Sequence, residues 1–187
     1  MNAVRSRGAL FRLPLALLIV AVVALPHART VARAVAHRLG IVADRRAVPG
    51  QPLGRLQVQT MNGSTALIAP RDGRPLLVNV FATWCGPCRS EMPAFARLAP
   101  ALERDGVDVV GIDQSESPGA VSQFATDFSL RYPLYIDANR STATSLDARV
   151  IPTTIALDGS GVVRAIHVGP LDGPDLVAFV RDAYRAR

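Results

Sequence analysis

The chain has 187 residues, 49% of them hydrophobic, with two Cys and a formal net charge of +6. This composition allows one domain of ordinary size and excludes a collagen-like chain, a disulfide-stapled miniprotein and a disordered chain of low apolar content. Residues 1–50 carry eight Arg and one Asp, whereas residues 51–187 carry 13 Arg and 14 acidic residues. Because the basic charge belongs to the N-terminal part and the remainder is nearly neutral, we expect no nucleic-acid partner.

The N-terminal residues have the pattern of a targeting segment. Three Arg precede an uncharged apolar run at 13–26, as in the charged region and apolar core of a secretory signal peptide. As a helix this run rises about 21 Å, less than the hydrocarbon thickness of about 30 Å, although residues 9–12 can extend it. Residues 1–27 are therefore predicted to be either a cleaved signal peptide or a retained membrane anchor, with the remaining chain outside the cytoplasm. Residues 28–50 are predicted to be a linker that ends in a stretch with Pro and Gly.

Hydrophobic periodicity and turn residues divide residues 51–187 into strands and helices. In chain order, the predicted elements are strands 55–60, 64–68 and 75–82, helix 88–104, strand 107–113, helix 118–130, strand 134–137, helix 141–146, strands 153–157 and 162–168, and a closing helix from 172 or 173. The pair Asn62-Gly63 is a hairpin turn signal between the first two strands. The apolar runs at 75–82 and 107–113 are typical of central strands covered on both faces. This order predicts an α/β sandwich with a mixed sheet.

Both cysteines lie in the tetrapeptide Cys-Gly-Pro-Cys at 85–88, after a predicted central strand and at the start of a predicted helix. The positive end of the helix dipole and its unpaired N–H groups favour a thiolate there, which lowers the pKa of the Cys85 thiol. Cys88 lies one turn further and is expected to be shielded. Disulfide exchange requires an exposed nucleophile and a covered resolving thiol, since Cys85 attacks, a mixed disulfide forms and Cys88 releases it. The alternatives are half of a metal site and two buried thiols.

Residues 78–93 (VNVFATWCGPCRSEMP) resemble the active-site stretch of the exported TlpA/ResA-like thiol–disulfide oxidoreductases of the thioredoxin superfamily. The likeness continues in the stretches 109–113, 151–154 and 167–171 and covers essentially all of residues 51–187. The resemblance implies a thioredoxin-like three-layer sandwich, with a mixed central sheet, flanking helices and an N-terminal β-hairpin. It also implies an enzyme that works without a cofactor or a metal.

The resemblance further implies a substrate-binding surface beside the cysteines. In that family the proline that corresponds to Pro152 is cis and faces the cysteine pair, whereas the alternative is an ordinary trans proline. The backbone of Ile151 would hold an extended client strand by β-augmentation, and Gly169 would keep the opposite wall of the groove low. Trp84, directly before the first cysteine, completes the set of expected substrate-binding residues.

Glu91 is the third candidate catalytic residue, after Cys85 and Cys88. Cytosolic thioredoxins carry a buried aspartate at the position of Asn79, and an amide cannot titrate. The TlpA/ResA-like pattern instead places an acid three residues beyond the second cysteine, where Glu91 stands, and residues at this spacing are neighbours on a helix. A partly buried carboxyl there would have a raised pKa and could act as acid and base near Cys88. The alternative is a solvated glutamate in the first helical turn.

The sequence thus predicts an extracytoplasmic thiol–disulfide oxidoreductase that reduces disulfides in exported proteins. Its expected partners are oxidised client proteins, among them apocytochrome c with its C-x-x-C-H cysteines, and a transmembrane thiol relay that supplies electrons. The Gly-Pro dipeptide favours a reductant, because thioredoxin shares it and has a potential of about −270 mV. The other interpretations are a thiol peroxidase, a redox-inert scaffold, and a copper or zinc carrier with His167 as a further ligand. His167 is more simply a structural histidine.

Overall fold

The computed structural model describes residues 47–146, 148 and 150–185. The predicted targeting segment 1–27 and all of the predicted linker before residue 47 lie outside the described residues. The strands are β1 (Leu56–Gln59), β2 (Thr65–Ile68), β3 (Leu76–Phe81), β4 (Asp108–Asp113), β5 (Leu134–Ile136), β6 (Thr153–Leu157) and β7 (Val163–Val168), and the helices are α1 (Gly86–Arg104), α2 (Pro118–Phe128), α3 (Ser141–Ser145) and α4 (Gly173–Arg185). Each predicted strand and helix is present, and the ends differ from the predicted ones by at most two residues.

Within the described residues, seven strands form one mixed sheet in the order β2-β1-β5-β4-β3-β6-β7. β3 pairs in parallel with β4, and β4 with β5, whereas the remaining pairs are antiparallel. β1 and β2 form the predicted N-terminal hairpin, in which Leu56 pairs with Ile68 and Gln59 with Thr65. The predicted α/β fold with a mixed central sheet and flanking helices is confirmed.

β3 lies inside the sheet, between β4 and β6, and all six of its residues are buried. Leu77 belongs to an apolar cluster with Phe95 of α1 and Leu176 of α4. The next residue, Val78, points to the opposite face and belongs to a second cluster with Leu146, which follows α3. Burial of apolar surface stabilises the fold by about 25 cal/mol per Å², so the two layers hold β3 firmly. Its carboxyl end is therefore a rigid support for the cysteines that follow.

The start of α1 positions the cysteine motif at the carboxyl edge of the sheet. Cys85 is the N-cap residue with an extended backbone, and Pro87 lies in the first turn, where its missing N–H has no cost. The helix therefore begins at Gly86, two residues before the predicted start. Among the described residues, the helices fall short of the length and apolar character that a membrane crossing needs.

Candidate active site

Cys85 and Cys88 form a disulfide bond at the N-terminus of α1. The N–H of Cys88 donates a hydrogen bond to Sγ of Cys85 at 3.2 Å. In the reduced protein, this N–H and the positive end of the helix would stabilise a thiolate on Cys85. Cys88 is fully buried and Cys85 is 5% exposed. The predicted shielding of the second sulfur is present, but the prediction of an exposed first sulfur is wrong for this disulfide form.

The loop before β6 explains why Cys85 is covered. Sγ of Cys85 lies 3.8 Å from the carbonyl oxygen of Ile151. The peptide bond between Ile151 and Pro152 is cis, as the family resemblance implies. The N–H of Gly169 donates to the carbonyl oxygen of Pro152 at 2.9 Å, which places the end of β7 beside this loop. The structure thus brings the cysteines together with three of the four predicted substrate-binding residues.

The fourth, Trp84, belongs to a group of exposed apolar side chains in the segments around the disulfide. Trp84 is 66% exposed, Val150 61% and Val168 57%. Each belongs to one of the three chain segments that carry the cysteines, the cis proline and Gly169. A single exposed apolar side chain is ordinary, but a group of them is typical of a binding surface.

Gly169 offers a test of this groove, because its φ of 114° lies in a region that side chains rarely adopt. We expect Gly169→Ala to lower the free energy of unfolding by about 1–3 kcal/mol, measured by urea unfolding followed by circular dichroism. Gly106→Ala is a matched control, since Gly106 has a φ of 89° but follows the far end of α1. Both variants should lose stability, but only Gly169→Ala should raise KM for a disulfide-bonded client. An equal KM in the two variants would contradict a role of Gly169 in client binding.

Glu91 is 1% exposed, so the alternative of a solvated glutamate is wrong. Its Oε1 accepts a hydrogen bond from Nδ2 of Asn79 at 2.8 Å, and its Oε2 accepts one from the N–H of Leu171 at 3.0 Å. Burial raises the pKa of Glu91 from 4.5 to about 7, although these two hydrogen bonds act in the opposite direction. A carboxyl group that changes its charge near neutral pH is suited to give and to take a proton.

Asn79 links Glu91 to the strand that follows the cis proline. Its Nδ2 also lies within hydrogen-bond distance, 3.2 Å, of Oγ1 of Thr154 in β6. Its Oδ1 is buried and has no hydrogen-bond partner within the described residues. Rotation of the amide would place Oδ1 opposite Glu91, where it could accept a hydrogen bond from a protonated carboxyl. The surroundings of Glu91 therefore suit both of its protonation states.

A polar group at the ends of β3 and β4 is absent from the residues that the sequence predicts for the site. The carboxylate of Glu116 accepts hydrogen bonds from the backbone N–H and the hydroxyl of Thr83, directly before Trp84. The N–H of Glu116 in turn donates to Oδ1 of the buried Asp113 at 2.8 Å. The available signal was a pair of acids, three residues apart, at the carboxyl end of a predicted central strand. In open α/β sheets this edge holds the functional groups.

His167 does not join the cysteines in a metal site. In the sheet, His167 of β7 lies opposite Thr154 of β6. The His167 ring contacts the Phe179 ring edge-on, with 6.1 Å between the centroids. Among the residues that the structure describes, no three His, Cys, Asp or Glu side chains are grouped in a way that could hold a metal ion.

Comparison with known proteins identifies the family. The sequence profile of the Redoxin family matches residues 48–180, which contain the whole site. The chain belongs to the Redoxin family. This Redoxin-family chain is 31% identical to the thiol-disulfide oxidoreductase ResA of Geobacillus kaustophilus over 116 residues, which cover 62% of the chain and 67% of the relative. It is 34% identical to the thioredoxin-like protein YneN of Bacillus subtilis over 126 residues, which cover 65% of the chain and 72% of the relative.

Solved structures agree with this assignment. A thiol:disulfide interchange protein of the thioredoxin family from Chlorobium tepidum is 28% identical, with a TM-score of 0.62, over 73% of this chain and 97% of that one. StoA from Bacillus subtilis, at 23% identity, shares the fold with a TM-score of 0.58 over 72% of this chain and 98% of that one. The predicted TlpA/ResA-like resemblance is therefore confirmed, and this Redoxin-family protein is a thiol–disulfide oxidoreductase.

Proposed function

We propose that the protein reduces disulfides in exported client proteins, with Cys85 as the attacking thiol and Cys88 as the resolving thiol. The observation that carries this proposal is the asymmetry of the pair. Cys85 caps α1 and receives the N–H of Cys88, whereas Cys88 is fully buried. Glu91 is the proposed proton acceptor and donor. The residues proposed to bind the client are Trp84, Ile151, Pro152 and Gly169.

The proposed reaction has two steps. The Cys85 thiolate attacks one sulfur of a client disulfide, which forms a mixed disulfide and releases the other client sulfur as a thiolate. Cys88 then gives its proton to the ionised Glu91 and attacks Sγ of Cys85, which releases the second client sulfur. The client gains two electrons, and the cysteine pair of the protein ends as the disulfide between Cys85 and Cys88. The proton held by Glu91 is then available to the departing client thiolate.

The direction of electron transfer depends on the reduction potential of the cysteine pair. Thioredoxin, which also has Gly-Pro between its cysteines, has a potential of about −270 mV, whereas the oxidant DsbA has about −120 mV. We therefore expect a potential below about −180 mV for this protein. Equilibration of the full chain with dithiothreitol or glutathione buffers, followed by mass spectrometry of the alkylated thiols, measures it. A potential above about −180 mV would contradict the proposed reducing role.

We further propose that the domain at 51–187 works outside the cytoplasm, connected through residues 28–50 to a targeting or anchoring segment at 1–27. The support is the three Arg before the uncharged apolar run at 13–26. An exported domain is separated from cytosolic reductants, so its pair needs electrons from across the membrane. A transmembrane thiol relay is the proposed donor.

Capture of clients in intact cells tests the location and the client class together. The full chain with Cys88→Ser is expressed, and proteins attached to it by a mixed disulfide are identified by mass spectrometry. We expect exported proteins with paired cysteines, including apocytochrome c. The variant that also carries Cys85→Ser is the control and should capture nothing. Capture of cytosolic proteins alone would contradict the proposed location.

A further inference from the structure

Two charged side chains hold Thr83, which lies two residues before Cys85. The backbone N–H and the hydroxyl of Thr83 donate to the two carboxylate oxygens of Glu116, at 2.5 and 2.6 Å. The carbonyl oxygen of Thr83 accepts a hydrogen bond from Nη1 of Arg89 at 3.1 Å. Glu116 follows β4 and Arg89 lies in α1, so two separate elements fix the backbone that leads to the first cysteine.

Arg89 is itself ordered by aromatic contacts. Its guanidinium lies over the rings of Phe124 and Phe128 of α2, at 5.6 and 5.0 Å from the two centroids. A guanidinium over an aromatic ring is attracted by the negative face of the ring. The long side chain is therefore held between α2 and Thr83, at the first turn of the helix that carries Cys88.

Glu116 is held from behind by Asp113 at the end of β4. Asp113 is fully buried, and its Oδ1 accepts the N–H of Glu116 at 2.8 Å. Burial raises the pKa of Asp113 to about 8, so its carboxyl keeps a proton at neutral pH. Burial would also raise the pKa of Glu116, but hydrogen bonds from Thr83 and Asp113 outweigh it and lower that pKa. Glu116 is therefore the charged member of the pair, and a carboxylate is a strong acceptor for both donors of Thr83.

We propose that Glu116 is a positioning residue for disulfide exchange, which acts on Cys85 through Thr83. The N–H of Cys85 donates to the carbonyl oxygen of Ala82 at 3.2 Å, so Thr83 lies inside a tight turn between β3 and α1. The alignment of the Cys85 sulfur with the N–H at the helix start depends on how firmly this turn is held. A loosened turn would weaken the stabilisation of the thiolate. This inference rests on the proposed role of Cys85 as the attacking thiol.

A positioning effect of Glu116 and a simple charge effect have opposite signs. A nearby carboxylate disfavours a thiolate, so removal of the charge alone would increase the thiolate fraction of Cys85. Loss of the two hydrogen bonds to Thr83 would decrease that fraction instead. The variants Thr83→Val and Thr83→Ser separate the two effects further, because neither changes a charge and only Thr83→Ser keeps the hydroxyl.

The test measures alkylation of Cys85 by iodoacetamide in the reduced full chain, between about pH 4 and pH 9. We expect Glu116→Ala to slow alkylation about tenfold on the acidic side, which corresponds to a profile moved by about one pH unit. Thr83→Val should slow alkylation about threefold, because it loses one of the two hydrogen bonds to Glu116. Thr83→Ser keeps both and should match the wild type. Trp84 is the single Trp of the chain. Its fluorescence anisotropy in the oxidised protein should fall in Glu116→Ala and Thr83→Val, because the turn becomes more mobile.

Glu103→Gln is the matched carboxylate control, in the last turn of the 19-residue α1 and about 25 Å from its start. Faster alkylation in Glu116→Ala would assign Glu116 a charge effect alone and overturn the proposal. The proposal would also be overturned if Glu116→Ala and Thr83→Val matched Glu103→Gln in both the alkylation rate and the Trp84 anisotropy. Alkylation and anisotropy need no client, so failure of the proposed reductase function would be seen separately, as absent insulin reduction by the wild type.

Discussion

Cys88→Ser is expected to stop the reaction at the mixed disulfide, with the client still attached to Cys85. A serine hydroxyl cannot displace the client sulfur, whereas the N–H at position 88 still stabilises the attacking thiolate. In a single turnover of the reduced variant with a disulfide-bonded peptide, nearly every molecule should become a covalent adduct. Mass spectrometry without reductant measures the adduct, which should be scarce in the wild type because Cys88 resolves it.

Cys85→Ser is the matched variant, and it should form no adduct and reduce no insulin. The remaining sulfur, at Cys88, is fully buried and cannot reach a client. Both variants lose the same disulfide, so any difference between them reports the separate roles of the two sulfurs. Normal turnover by Cys88→Ser would show that the two-thiol mechanism is wrong. An adduct formed by Cys85→Ser would show that the order of the two cysteines is reversed.

Glu91→Gln is expected to slow resolution of the mixed disulfide at neutral pH by about 10²-fold, the lower end of what a general base contributes. With its pKa raised to about 7, Glu91 is partly ionised at neutral pH, as the proposed transfer of the Cys88 proton requires. The glutamine cannot. The wild-type pH–rate profile should therefore show an inflection near pH 7 that is lost in the variant. A single turnover of the reduced wild type and of reduced Glu91→Gln with the disulfide-bonded peptide, repeated across pH, measures both quantities. An unchanged profile would exclude Glu91 as the base.

The same substitution should change how the stability of the oxidised protein depends on pH. Because the pKa of Glu91 is raised in the folded state, its contribution is present below pH 4.5 and is lost as the pH rises through about 7. The wild type should thus lose about 3 kcal/mol of unfolding free energy relative to Glu91→Gln over this range. Glutamine fits the site, since rotation of Asn79 lets its unpartnered Oδ1 accept the new N–H group.

Urea unfolding at a series of pH values measures this difference, and Glu103→Gln is the control on the same helix. The difference between wild type and Glu91→Gln isolates Glu91 from other groups with raised pKa, such as Asp113. Parallel curves for wild type and Glu91→Gln would mean that the carboxyl titrates in the folded protein as it does in the unfolded chain.

The fold was predictable from the sequence because its signals are local. The apolar run that became β3 needs cover on both faces wherever it lies, and Asn62-Gly63 favours a hairpin whatever surrounds it. The helix α1 begins two residues before the predicted start, since a cysteine at the N-cap is not a usual capping signal. The positions of Cys85 and Cys88 relative to the helix follow from chain geometry alone.

Contacts between residues that are distant along the chain cannot be predicted from these local signals. Ile151, 66 residues after Cys85, covers the first sulfur, which the motif alone predicts to be exposed. The N–H of Leu171, 80 residues after Glu91, provides one of the two hydrogen bonds to its carboxylate. Glu116 accepts hydrogen bonds from Thr83, which lies 33 residues earlier in the chain. No periodicity or spacing encodes these contacts, because they depend on how β4, β6 and the end of β7 come together beside α1.

Neighbouring residues determine which segments of the chain become strands and which become helices. They also determine that the two sulfurs lie at a helix start and that the acid lies one turn further. Short-range sterics and hydrogen bonding suffice to produce these features. Three features arise only when separate segments pack together and exclude water. They are the burial of Glu91, the contact of Ile151 with the Cys85 sulfur and the hydrogen bonds of Glu116 to Thr83. Desolvation and the hydrogen bonds that offset it exist only in that packed arrangement, so they belong to the tertiary structure.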